Sequence, residues 1–414
     1  MNMREERGLQ IAQNSKIIKT PVGWKVPSQS GNGTYVVNLD HSHPFCTCPD
    51  FEKGYKCKHI HAVEFTIQKE MRPDGTIIQT QSVKMTCTQE WSAYNDAQTH
   101  EQERFVLLLR DLCNGIQQPP QTFGRPRLPL ADVVFGMVYK SYTTMSGRRF
   151  MSAIRDAEAK ELIDKTPSFT SSFRYLENPD LTPILKTLIE QSASPLRAVE
   201  TDFAVDSSGF STTTYARWFD HKYGKERSKQ TWVKTHLICG VKTHIVTSVE
   251  ATSYESADNV QLPTLVNQTA KTFNIKEVSA DKAYSDRRNL QTVQAQGGVV
   301  YIPFKSNSTG MGDKHHKFDG LWNRMWHYYN FNRDTFLEHY HKRSNVETTF
   351  SMIKAKFGSS VKAKTPTAQV NEVLCKVLCH NICVLIQSMV ELNIETTFET
   401  FGTKEAVVPK LAWE

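Results

Sequence analysis

Three cysteines and a histidine fall close together as Cys46, Cys48, Cys57 and His59, spaced C-x-C-x8-C-x-H. Soft thiolates with one imidazole suit a tetrahedral Zn²⁺ of the structural kind, which leaves no position open for substrate. Nine cysteines are an odd number, and the opening MNMREERGLQ lacks the apolar segment of a secretory signal. The cluster therefore reads as metal ligation in a reducing compartment and not as a disulfide framework. His61, His41 and His43 lie near enough in sequence to compete with His59 for the fourth position, and that choice stays open here. A unit of about 60 residues has little core of its own, so bound metal would supply part of its folding free energy.

A second chemistry is written in acids. Asp206 closes a strand-like run and precedes Ser207-Ser208-Gly209, read as a turn. Asp281 follows the strand-like Ile275 to Ala280 and heads DKAYSD; Glu347 lies within a long helical segment. Carboxylates at strand ends, joined by one from a helix, can converge on two Mg²⁺ ions, because hard cations want oxygen ligands. Asp202 and Asp286 are the fallback ligands. At 100° per residue Tyr340, Arg343, Glu347 and Lys354 share one sector of roughly 60°, beside an apolar stripe of Val346, Phe350, Ile353 and Phe357. Between Tyr340 and Lys364 there are six Lys or Arg and one acid, Glu347. A lone carboxylate in a basic helix suits a metal ligand beside phosphates. The blander reading is a solvated face with a Glu347–Arg343 pair worth a few tenths of a kcal/mol.

These residues need elements to carry them. Residues 1–85 form a small unit with short strands at Gly23 to Val26 and Thr34 to Asn38. Residues 86–195 are mainly helical, with helices at Thr99 to Cys113, Leu130 to Tyr142, Phe150 to Leu162 and Leu181 to Gln191. From 196 to 395 strands and helices alternate in an α/β pattern, with one long helix from Phe336 to Phe357 and another from Ala368 to Leu392. Residues 396–414 are a tail.

The chain has 414 residues, 39% of them apolar, and a net charge of +7. That composition is globular and excludes a disordered protein. No apolar run was long enough to suggest a membrane span, and the expected location is cytoplasmic. The charge excess matters only where it clusters. It does so from Ala216 to Lys234, where Trp232 and Lys234 lie among interleaved aromatic and basic residues that suit stacking on distorted bases. Gly124-Arg125-Pro126-Arg127 suits an arm in a narrow minor groove. Cys375, Cys379 and Cys383, at i, i+4, i+8, read as small core residues.

Two resemblances follow from these motifs. The spacing C-x-C-x8-C-x-H before HIHAVEF, preceded by Trp24-Lys-Val-Pro-Ser, resembles the SWIM zinc finger. The segment HYHKRSNVETTFSMIKAKFG matches Y-x2-R-x3-E-x6-K, the signature of DDE transposases from prokaryotic insertion sequences. DSSG at Asp206 and DKAYSD at Asp281 look like that family's first two acidic motifs, and TWVKTH and HNICVLIQ also look familial. The resemblance covers about Ala198 to Gln387. It implies a ribonuclease H-like fold, with a mixed sheet and flanking helices, behind a helical region and a zinc-binding domain. It implies that Asp206, Asp281 and Glu347 bind two Mg²⁺ ions, with Mn²⁺ as a substitute, and that Tyr340, Arg343 and Lys354 contact phosphates. The implied partners are double-stranded DNA, both element terminal repeats and target, and a second copy in a homodimer. The implied location is nucleoid-associated. Rival readings are a metal-dependent nuclease without strand transfer and a transposase-derived DNA-binding protein without catalysis.

Overall fold

In a computed structural model the chain divides into two compact units, Met1–Gln89 and Glu90–Glu414. The structure describes residues 3–398 apart from 21, 30–32, 40–43, 72–76, 82–90, 122, 125, 213–221, 223–231, 311–319, 395 and 397.

The first unit holds an antiparallel sheet in the order β1 (Ile18–Thr20), β2 (Gly23–Pro27), β3 (Thr34–Asn38), β4 (Phe45–Cys46). Alternation in Trp24, Val26 and Val37 turns their side chains inward, where they meet Ile11, Ile60 and Val63 from two helices, Met3–Asn14 and Lys58–Thr66. Gly8 lets these helices approach closely, since a Cβ there would lie 2.6 Å from the Cβ of His61. The three cysteines complete this small core. A separate hairpin, β5 (Ile67–Met71) and β6 (Ile77–Gln81), follows.

The second unit begins with helices, among them Glu101–Asn114, Leu130–Thr143, Gly147–Ala159 and Leu181–Ala193. Its sheet runs β11 (Val299–Tyr301), β10 (Glu277–Ala280), β7 (Asp202–Ser211), β8 (Trp232–Gly240), β9 (Val246–Thr252). β11, β10 and β7 are parallel, while β8 and β9 return antiparallel. This mixed sheet with flanking helices is the α/β layout that the resemblance implied. The 26-residue helix Pro366–Glu391 is long and apolar enough to cross a membrane, but 78% of its apolar window is buried within the fold. Asn381 on that helix accepts the Val246 amide at 2.9 Å and donates to the carbonyls of Ile189 and Val246. One buried amide thus ties the edge strand β9 to the helical lead, leaving few of its own polar groups unpaired. Cys375 and Cys379 are buried in the core beside it, as their spacing suggested.

Two local expectations are corrected. Ser207-Ser208-Gly209 is not a turn: β7 continues to Ser211, paired residue by residue with β8. Gly209 supports this by leaving room for a ring, because a Cβ there would lie 2.7 Å from Trp232 Cδ1. The long helix from Phe336 is broken into Arg333–Tyr340, a 3₁₀ turn His341–Arg343, and Ser344–Phe357. Ser344 Oγ donates to the His341 carbonyl at 2.9 Å and the Asn345 amide to the Lys342 carbonyl at 2.8 Å. Such i to i−3 bonds favour a tightened turn.

Candidate active site and zinc centre

In the first unit Cys46 ends β4, Cys48 caps the short helix Pro49–Glu52, and Cys57 immediately precedes the helix that bears His59. Their ligand atoms all lie within 4.8 Å of one another, and all four residues are buried. Contact with Cys46 pulls the Cys57 thiol down to about 4, while the same contact pushes Cys46 up. His59 Nε2 is buried without a hydrogen-bond partner, which burial normally forbids. A thiolate beside two further thiols and an orphaned ring nitrogen is a donor set that fits Zn²⁺. The structure distinguishes the histidines: His61 Nδ1 faces Glu64 Oε2 at 3.3 Å. His41 and His43 lie outside the described residues.

In the second unit the register places the acids. Val205 pairs with Ala280 on parallel strands, so the next residues, Asp206 and Asp281, sit side by side at a strand spacing of about 5 Å. Each carboxylate accepts a following amide, Asp206 from Ser207 at 2.8 Å and Asp281 from Lys282 at 2.6 Å. Glu347 comes from the helix Ser344–Phe357, which packs on β7. Two cations hold that helix to the strand. Arg343 Nη1 donates to Asp206 Oδ2 at 2.7 Å and its Nη2 to Glu347 Oε1 at 2.5 Å. Lys354 Nζ donates to Ser208 Oγ at 2.6 Å.

Burial pushes the Asp206 carboxyl above its ordinary value; the Ser207 amide and Arg343 oppose this, and the charges of Asp281 and Glu347 add to it. Asp206 therefore feels the charge of both other acids. Among the described residues the three do not close to the 4.8 Å mutual reach of the Cys/His set, and the Arg343 fork lies between Asp206 and Glu347. Three carboxylates, two of them raising the pKa of the partly buried third, form a set of oxygen donors that fits a divalent cation.

The other sequence candidates divide. Tyr340 stays beside the site, its ring centroid 6.0 Å from Arg343 Cζ, and burial raises its pKa. Lys234 is used within the fold, 2.8 Å from Asp258 and 2.9 Å from the Ser256 carbonyl. Trp232 packs over Gly209 and against Tyr254 while remaining 41% exposed. Arg127 donates its backbone amide to Gln121 Oε1 at 3.0 Å; Arg125 and most of the 216–234 stretch lie outside the described residues. Of the fallback ligands, Asp202 is paired with Lys342 at 2.7 Å and Asp286 caps the helix Arg287–Ala295. Ser208 and Lys342 were missed. Period-2 alternation already puts Ser208 on the face of Asp206, whereas Lys342 bridging Asp202 and Glu277 at 2.7 Å each has no sequence signal.

Comparison with known proteins agrees with this geometry. Residues 197–382 match the family "Transposase DDE domain", and residues 35–68 match "SWIM zinc finger". No curated protein matches the chain. A solved structure, the piggyBac transposase synaptic complex with hairpin DNA, is similar at 12% identity and a TM-score of 0.33, covering 70% of this chain and 73% of that one. Residues 197–382 thus match a DDE transposase domain built around β7 and β10, which supports a polynucleotidyl-transferase chemistry with a divalent cation such as Mg²⁺, and residues 35–68 match a SWIM finger whose Cys/His cluster fits Zn²⁺.

Proposed function

We propose that Asp206, Asp281 and Glu347 are the catalytic carboxylates, and that the protein binds the ends of an insertion sequence, cleaves a DNA strand there and joins it to target DNA. What supports the reading is the parallel register that sets Asp206 beside Asp281, under a helix that brings Glu347 to Arg343. When bound by these three residues, Mg²⁺ or Mn²⁺ would supply Lewis-acid polarisation of the scissile phosphate and of the attacking oxygen. In cleavage, water adds to phosphorus as the strand's 3′-oxygen departs and takes up a proton. In transfer, that 3′-hydroxyl attacks a target phosphodiester, losing its proton as a target 3′-oxygen leaves.

The chain's own side chains orient this chemistry. Arg343 presents a planar fork able to turn from carboxylate to phosphate, a geometry Lys would not reproduce. Lys354, with its pKa lowered by burial, gains from an approaching phosphate charge. Tyr340 packs at the rim of the same site.

In this reading residues 1–85 are the zinc-finger domain, 86–195 a DNA-binding helical region, 196–395 the catalytic domain and 396–414 a tail. Paired ends imply a homodimer, and a DNA substrate implies a cytoplasmic, nucleoid-associated location. Incubating purified protein with labelled candidate ends, a target plasmid and Mg²⁺ tests the proposal. Joined products support it, nicks without joining favour a nuclease, and binding without nicks favours a non-catalytic derivative.

A further inference from the structure

The second unit carries a basic trough that the carboxylate site does not use. Three adjoining depressions of 720, 490 and 320 Å³ share Met145, and the second and third also share Lys140 and Lys362. The trough forms where the helices Leu130–Thr143 and Gly147–Ala159 meet across a three-residue turn, opened by Thr144 in the left-handed conformation at φ 55°. That turn sets Lys140, near the end of one helix, by Arg148 and Arg149 at the start of the next. Arg155 continues the row two turns on, and all three arginines are exposed.

Charge along this trough is one-sided. Eight Lys or Arg line it against two acids, Glu177 and Glu372. Glu372 is already committed, its carboxylate accepting the backbone amides of Lys362 and Ala363 at 2.8 to 3.0 Å. Among the described residues no carboxylate lies within ion-pair distance of Lys140, Arg148, Arg149 or Arg155. Lys140 instead lies 5.6 Å from the centroid of the Phe173 ring, and burial lowers its pKa. A partly buried ammonium that feels Glu372 only at a distance, with no carboxylate in ion-pair contact, favours an arriving anion.

We propose that this trough holds the phosphate backbone of double-stranded DNA away from the cut. The proposal rests on the reading of the chain as an enzyme acting on DNA ends. Its position fits: the trough reaches Phe357 and Gly358, at the end of the helix that bears Glu347. From residue 347 to 357 that helix extends about 15 Å, roughly half a turn of duplex. A rigid row of guanidinium groups along one helix suits the regular charge of a duplex better than an acidic peptide. These contacts give affinity and register without reading sequence.

The test is duplex binding by the full chain, followed by fluorescence anisotropy across a salt series, with polyglutamate as a competing polyanion. The double reversal Arg148→Glu/Arg149→Glu should weaken binding at least about 10-fold at low salt and flatten the log–log salt slope by roughly two. Arg148→Lys/Arg149→Lys should keep the slope, and circular dichroism checks that both variants fold. An unchanged affinity and slope in the folded charge-reversed protein overturns the proposal, as does polyglutamate binding that alone depends on these arginines. Nicking by the unaltered protein is scored separately. Its absence, with trough-dependent binding intact, would count against the catalytic reading and leave the trough standing.

Discussion

Arg343 joins two acids from different elements, reaching Asp206 on β7 at 2.7 Å and Glu347 one helical turn away at 2.5 Å. The i,i+4 pair alone would be a surface ion pair of little value, since the Glu347 side chain is 57% exposed. The bond to Asp206 makes it a bridge between strand and helix. Arg343→Ala should shift the acid limb of nicking upward in pH, because it removes a charge that lowers the Asp206 pKa. The rate–pH profile under saturating Mg²⁺ reads this directly; an unmoved acid limb would show that Asp206 does not titrate in the reaction.

Asp281→Ala should reduce Mg²⁺-dependent nicking on the order of 10³-fold while leaving duplex binding nearly intact. Undiminished nicking would remove Asp281 from the catalytic set.

Stability should carry the mark of Asp206. Its folded pKa is raised above the unfolded value, so the folded state binds the proton more tightly and stability falls as pH rises from about 3.8 through the folded value. Asp206→Asn, melted in chelator, should therefore gain stability relative to the parent at neutral pH. That gain should shrink as the medium is acidified. A gain independent of pH would contradict the assigned burial cost.

Cys57→Ser should lose the zinc and unfold the first unit, because metal binding supplies folding free energy of order 10 kcal/mol in such modules. Elemental analysis of the purified chain gives the metal content. His59→Ala should lose zinc likewise, and His61→Ala should retain it; the opposite order would reassign the fourth ligand.

Gly240→Ala should destabilise the second unit by about 1–3 kcal/mol through overpacking. A Cβ there would collide with the Glu200 carboxylate carbon, and Glu200 holds the amides of Lys242 and Thr243 at the turn between β8 and β9. Chemical denaturation measures the change, and a neutral result would mean that Glu200 can move without cost.

The chemistry of this protein was legible as residue types. Cysteine spacing pointed to zinc, and three acids with a basic helical stripe pointed to a phosphate-handling metal site, because ligand hardness and helical periodicity are local properties. Alternation and turn residues located most strands and helices for the same reason. Tertiary structure decided the rest. Continuous pairing with β8 made DSSG part of a strand, a choice no local propensity contains. A 3₁₀ turn at His341–Arg343, bridged by side-chain bonds from Ser344 and Asn345, interrupts the long helix. Packing gave Glu64 to His61, leaving His59 within the cysteine cluster, and Asp258 took Lys234 out of the basic stretch. Above all, the parallel register of β7 with β10 set Asp206 beside Asp281 across 75 positions of sequence. Hydrogen bonds between distant strands fix such a register, and pattern within either strand cannot.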